Sequence, residues 1–426
     1  MSRERKTSWL VLVVLIGFVV AVGAHYVVGQ YVLRGYPYST FLFDPLDATP
    51  LAGGPNIIGS HYFGDFFEAW TTSRGPHPYV DFPLTAPSSY FPVTHILLFP
   101  LAQLPLKLAL ALYLAAFTAF LAVLLFRSAG GDRLARTQAA LVLTACSTPV
   151  LFLLDRANIE GLLFVALMGM LLAYRRERFY LAAMLLAVPV AMKGSAGVFW
   201  LLFLFDGQIR ALLLSVATFA LGTVGALLVL PGGTQANVDG LRSALDTLLT
   251  ATDEGTVGLR HSVSLKSAFS GLGRWEENFN FFVVNYSLVA LAVLAAVALA
   301  LALLRPLLWQ RVTLLVGAMI LVPSVSYEYR MIHLYLPLLL FLGAAAPRRS
   351  DALFVALFGL LLVPKGLPIL YADVNVGTVV NPLLLAALMA AAVVVAASDP
   401  ASRERLGAIR GGLGRRSRAA EGVAAG

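Results

Sequence analysis

The residues best placed for chemistry begin with Asp65, in Gly64-Asp65-Phe66-Phe67-Glu68, followed by Pro78-Tyr79 and Ser89-Tyr90-Phe91-Pro92. A carboxylate among aromatics in a polar loop beside a membrane can take a proton from a hydroxyl at the bilayer edge. Asp65 also has a simpler use, as the N-cap of a short interfacial helix from Phe66 to Ser73. Glu68, one turn on, would then be a solvated or capping-box partner. Tyr79, Tyr90 and Phe91 suit either a wall on which a sugar ring stacks or the anchoring usual for aromatics at a bilayer boundary.

The rest of the chain must position these groups, and it is built for lipid. Hydrophobic residues make up 59% of it, charged ones only 13%, and mean hydropathy is +0.81. Its apolar runs approach the ~20 residues that cross a bilayer as a helix, so the chain reads as an all-α integral membrane protein. The net charge of +8 is not a nucleic-acid footprint, because the basic residues fall in short loops. They group at Arg3 to Lys6, Arg127 to Arg136, Arg175 to Arg178, Arg210, Arg305 with Arg311, Arg348 with Arg349, and Arg403 to Arg418. If these groups are cytoplasmic, that side holds 20 of the 31 Lys and Arg, and the other face keeps 11 basic and 15 acidic residues. One orientation thus satisfies every short loop: both termini inside, and about 12 crossings (range roughly 10 to 13). Residues 9 to 27 read as an uncleaved signal anchor.

Orientation makes the spacing informative. A complete pair of crossings needs ~40 residues plus a turn. Only 38 residues separate Arg136 from Arg175, 27 separate Arg178 from Asp206, and 36 separate Arg311 from Arg348. The outer tips of these hairpins should lie at or below the headgroups, and each is polar: Asp155 to Glu160, Lys193-Gly194-Ser195, and Ser324 to Arg330 with His333 beyond. Polar residues at that depth imply a wet pocket opening outward. Lys193 is costly there unless a phosphate, Asp155 or Glu160 meets it. Arg330 and His333 share a helix face, and Arg330 could equally neutralise Glu328 or snorkel to headgroups. A first outer loop (30–92) and a second (232–278) would cover the pocket. The second carries Arg260-His261, where a charge in a polar loop needs no special reason. Residues 1–400 form the membrane domain, and 401–426, rich in Gly, Arg and Ala, read as a disordered cytoplasmic tail whose arginines touch anionic lipid.

Several classes drop out. Cys146 is the only cysteine and lies in an apolar run, so no disulfide framework and no Cys-based metal site is expected. No nucleotide-binding glycine motif, no His-x-x-x-His pair and no clear repeat is present. Asp65 with Glu68 alone would make a poor cation cage, so neither metal nor cofactor is expected.

Four stretches in order carry a resemblance. They are Gly64-Asp65-Phe66 through Tyr90-Phe91-Pro92 to Pro100-Leu101-Ala102-Gln103-Leu104-Pro105; Asn158 to Ala191-Met192-Lys193; Ser262-Val263-Ser264-Leu265; and Pro323-Ser324-Val325-Ser326-Tyr327-Glu328-Tyr329. Together they resemble the GT-C superfamily of polytopic glycosyltransferases, most closely the family 87 enzymes that use polyprenyl-phosphate sugars, such as polyprenyl-phosphate-mannose-dependent mannosyltransferases. The chain departs from that pattern where the family shows a second proline near Phe91-Pro92, a proline shortly after Lys193 and a histidine about where Tyr329 stands. The resemblance implies a GT-C-like membrane fold in the plasma membrane with its active site on the extracytoplasmic side. It implies a polyprenyl-phosphate-linked sugar donor, a glycolipid or glycan acceptor, and Asp65 as general base. Lys193, Arg330, Arg260 and Arg156 are then the cations for the leaving phosphate, with His333, Glu328, Tyr79 and Tyr90 as further substrate contacts. The alternatives are a secondary transporter or lipid flippase, whose intramembrane charges would line a path, and a catalytically inactive scaffold. A transporter would be expected to show duplicated halves, and neither half here mirrors the other.

Overall fold

The computed structural model describes residues 1–28, 31, 63–75, 77–79, 90–253, 262–273, 276–304, 306–344, 347–369, 374–400 and 402. Apart from a two-residue antiparallel ladder (β1 Pro368–Ile369, β2 Val374–Asn375) it is helical. The order is α1 Arg3–Val27, α2 Gly64–Arg74, α3 Pro92–Ala102, α4 Leu106–Ser128, α5 Arg133–Ala145, α6 Thr148–Arg156, α7 Glu160–Arg175, α8 Phe179–Met192 and α9 Trp200–Phe205. Then come α10 Ile209–Val229, α11 Thr234–Asp253, α12 Leu265–Gly273, α13 Asn280–Val284, α14 Tyr286–Leu303, α15 Leu308–Leu321, α16 Tyr335–Leu342, α17 Asp351–Leu362 and α18 Val376–Ser398. Short 3-10 turns at Gly194–Phe199 and Glu328–Leu334 lead into α9 and α16.

Among the described residues, α1, α4, α10, α14 and α18 are each long and apolar enough to cross a bilayer, and the bent pair α5 and α6 makes a sixth candidate. The chain is a helical membrane protein. Several other helices, including α3, α8, α15 and α17, are apolar but shorter. Their shortness reflects breaks with identifiable causes. The axis turns by 55° between α5 and α6, where Pro149 in the first turn of α6 removes a backbone donor. The hydroxyl of the buried Tyr335 donates to the Leu143 carbonyl near the end of α5 (2.5 Å), and Ser147 Oγ donates to Tyr335 Oη (2.6 Å).

Helix α15 is apolar and enclosed on nearly every side, so it sits in the middle of the bundle, packed by α16 and α18. On α10 and α14 the large apolar side chains face outward, Leu221 at 74% and Leu288 at 64% exposure. Such faces belong against lipid tails. Near the start of the chain, the N-terminal ammonium (2.8 Å) and the buried Lys6 (3.4 Å) both bind Asp351 and pin α1 to α17.

Close approach matters most at Gly161, in the first turn of α7. A Cβ there would collide with the Tyr113 hydroxyl and crowd Phe117 at 3.1 Å. Tyr113 donates to the Asn158 carbonyl, so the methyl would push on the first bend itself. Gly161→Ala should therefore cost about 1–3 kcal/mol, the usual penalty for overpacking. A thermal-unfolding scan in detergent checks this, and an unchanged midpoint would show that Tyr113 yields freely.

The expected loops are described only in part. Most of 30–92 lies outside the described residues, although α2 and the start of α3 belong to it. The second loop, 232–278, contains the helices α11 and α12, while Arg260 and His261 lie outside the described residues. So does the tail 401–426 apart from Ser402.

Candidate active site at three converging bends

The three hairpin bends meet. The first is made by α6, which ends with Ala157 in the left-handed region (φ 49°), and by α7, which starts at Glu160. The second forms where α8 stops after its internal Pro189 and Lys193 becomes extended. In the third, Pro323 follows the end of α15 and the 3-10 turn Glu328–Leu334 carries Arg330 and His333.

Glu160 joins them. Its side chain is 2% exposed, and its two oxygens meet three partners. Lys193 Nζ (2.7 Å) and Arg330 Nε (3.1 Å) donate to Oε1, and His333 Nε2 (2.7 Å) donates to Oε2. A buried carboxylate is tolerated only with such pairing. Lys193 keeps 22% of its side chain exposed and has the Tyr329 ring 5.6 Å from its ammonium. Of the two carboxylates weighed as its partner, the structure selects Glu160.

Asp65 sits beside this cluster. It is not the N-cap of its helix: that position is Phe63, at φ 59°, with no side-chain cap bond. Asp65 lies in the first turn of α2 and points to the first bend. Arg156 Nη1 donates to Oδ1 (3.0 Å) and Asn158 Nδ2 donates to Oδ2 (2.5 Å). Asn158 also accepts from the Glu160 backbone N–H through its Oδ1 (2.9 Å), so one amide links the two carboxylate sites. The Phe63 N–H bonds the Asp155 carbonyl (3.0 Å), Phe66 stacks on Tyr113 with centroids 5.5 Å apart, and Trp70 Nε1 donates to the Leu104 carbonyl (3.2 Å). These contacts fix α2 on the bundle. Asp65 is in electrostatic range of Lys193, Glu68 and Tyr329.

Glu68 occupies the same face of α2. Burial, with the adjacent Asp65 carboxylate adding to it, pushes its carboxyl up to about 7, while Arg156 and Lys193 pull it down. The site therefore gains a negative charge as pH rises through 7. That charge repels an anionic ligand, with an effect on the order of 1–2 kcal/mol at typical intraprotein separations. Affinity for such a ligand should fall roughly tenfold between pH 6 and 8, and Glu68→Gln should flatten the profile at the low-pH level. A variant that keeps the wild-type pH dependence would exclude Glu68 as its source.

The remaining expected residues divide. Arg156 serves Asp65, with its guanidinium 5.7 Å from the rings of Phe152 and Tyr327. Glu328 turns toward α18, with Oε1 3.5 Å from Asn381 Nδ2, while Arg330 pairs with Glu160. Tyr79 is buried, donates to the Tyr90 carbonyl (2.7 Å) and meets the edge of His95 (5.3 Å), which makes it a strut of the first loop. Tyr90 is also buried, and both Glu68 and Glu160 act on its hydroxyl electrostatically. Ser262 to Ser267 strap the third bend: Val263 N–H donates to the Ser326 carbonyl (2.6 Å) and Ser264 Oγ to the Ser324 carbonyl (2.9 Å).

In the sequence Glu160 stands only as one of two carboxylates that could meet Lys193, and Asn158 carries no role of its own; the structure makes Glu160 the hub and Asn158 the bridge. The signal for Glu160 was present, because a carboxylate at the tip of a short hairpin carries the same solvation cost as Lys193.

The arrangement offers a held carboxylate next to a cluster with one more cation than anion, where Lys193 and Arg330 face Glu160. This suits proton abstraction beside an anionic group. Among known proteins, the sequence model of glycosyltransferase family 87 matches residues 89–326. No curated protein and no solved structure matches the chain. The matched stretch contains Tyr90, Arg156, Asn158, Glu160 and Lys193, begins after Asp65 and ends just before Glu328. It covers more than half of the 426 residues, and the chain belongs to glycosyltransferase family 87.

Proposed function

We propose that this membrane glycosyltransferase moves mannose or a similar sugar from a polyprenyl-phosphate donor to an extracytoplasmic glycolipid or glycan. Asp65 takes the proton of the acceptor hydroxyl as that oxygen attacks the anomeric carbon from the face opposite the phosphate. The new C–O bond forms as the bond to the phosphate oxygen breaks with inversion, and the electron pair leaves with polyprenyl phosphate. Lys193 and Arg330 stabilise the charge that develops on that phosphate. Arg156 and Asn158 hold the base, each through one carboxylate oxygen, which leaves acceptor capacity on both. Arg260, Tyr90 and Glu328 are the remaining candidates for substrate contact. No metal or cofactor takes part in this scheme.

The observation that carries the reading is the direct contact of Asp65 with the first bend, next to the joined bends that hold Lys193 and Arg330. Orientation follows from the basic loops: both termini cytoplasmic in the plasma membrane, about 12 crossings within 1–400, and the bends with the loop 30–92 on the outer side. That number requires shorter apolar helices, such as α8, α15 and α17, to serve as crossings as well. To test the reading, purified protein is incubated with a panel of lipid-linked sugars and acceptor membranes while release of polyprenyl phosphate is followed. Release that depends on acceptor is expected with at least one polyprenyl-phosphate sugar. Transport of the intact lipid without release would replace the enzyme by a flippase.

A further inference from the structure

Glu160 presents a feature that the transfer scheme does not use. Its carboxylate occupies the place where Lys193 and Arg330 converge. An oxyanion with two cations at 2.7 and 3.1 Å is what a phosphate oxygen would make of the same pair. Glu160 cannot leave, since it opens α7, His333 grips its other oxygen, and its backbone N–H is bonded to Asn158. Lys193 is the less confined partner, its long side chain 22% exposed against 2% for Glu160.

We propose that Glu160 is an internal stand-in for phosphate, a positioning residue that holds the two cations together and competes with the substrate's phosphate for them. This rests on the donor class proposed above. The competition acts unequally on substrate and product. A polyprenyl-phosphate sugar is a diester with a single negative charge, whereas the departing polyprenyl phosphate is a monoester with a charge between −1 and −2 at neutral pH. The product would bind such a cation pair more tightly than the substrate and block turnover. A fixed carboxylate that reclaims Lys193 weakens the phosphate's hold and speeds product release. Charge already present in the site thus sets a ceiling on phosphate affinity.

The test uses farnesyl phosphate, a short polyprenyl monophosphate, added to the purified full chain in detergent, with affinity read by calorimetry and release by its inhibition of transfer. Glu160→Gln should bind farnesyl phosphate on the order of tenfold more tightly than wild type, and its kcat and donor KM should fall together. Loss of a merely structural ion pair would weaken binding instead. If Glu160→Gln does not accumulate as folded protein, Glu160→Asp retains the charge but shortens its reach, and it should tighten farnesyl phosphate by a smaller factor with the same joint fall. Equal or weaker binding in the folded variant, alongside active wild type, would overturn the stand-in role and leave the glycosyltransferase reading intact. Wild type that neither transfers sugar nor binds farnesyl phosphate would overturn the donor class, and the stand-in role with it.

Discussion

Membranes carrying Asp65→Asn will contain folded protein and yet transfer sugar roughly 10²- to 10⁴-fold more slowly, the range expected when a general base is lost. The substitution is nearly isosteric, and the site predicts its structural cost. An amide has one oxygen, so it can accept from Arg156 or from Asn158 but not from both. One bond and the ion pair with Arg156 are lost, at about 1.5–3 kcal/mol, which a membrane protein with this much buried helix should survive. The measurement is turnover of a radiolabelled polyprenyl-phosphate sugar, normalised to folded protein by size-exclusion chromatography. Wild-type turnover would remove Asp65 as the base and leave its contacts with the first bend as scaffolding.

The second large effect falls on the donor. Lys193→Met keeps the length and apolar volume of the side chain but removes the ammonium at the mouth of the cluster. Donor kcat/KM should fall on the order of 10²- to 10³-fold, as for loss of one strong donor to a developing oxyanion. Acceptor KM should change little. Glu160 retains Arg330 and His333, so the first and third bends stay joined, the packing of α8 against α7 holds the second, and the variant should remain folded. Parallel losses toward donor and acceptor, with a lowered unfolding midpoint, would return Lys193 to a purely structural part.

These expectations begin from unequal amounts of sequence information. That a polar cluster should exist at all follows from energetics along the chain, because hairpins too short for two full crossings cannot leave Asp155 to Glu160, Lys193 or Arg330 facing lipid. Which partners they choose does not follow. Glu160 meets residues 33, 170 and 173 positions away, and Asp65 meets Arg156 across 91. No local period encodes such pairings. The N-cap preference of Asp misleads at position 65 for the same reason: local propensity is worth about 1 kcal/mol, and two side-chain bonds to the first bend outweigh it. Tyr79 likewise has the composition of a sugar platform but spends its hydroxyl inside the protein, on the Tyr90 carbonyl.

From the sequence alone came a helical membrane protein, the positions of three polar bends and the likeness to glycosyltransferase family 87, since hydropathy and motif order are one-dimensional properties. Only the tertiary structure decided that Arg156 steadies Asp65, that Glu160 and not Asp155 answers Lys193, that Glu328 turns away, and that Asn158 spans both carboxylates. Ion pairing falls off within a few ångströms, and those few ångströms are set by how α2, α7 and the third bend pack together.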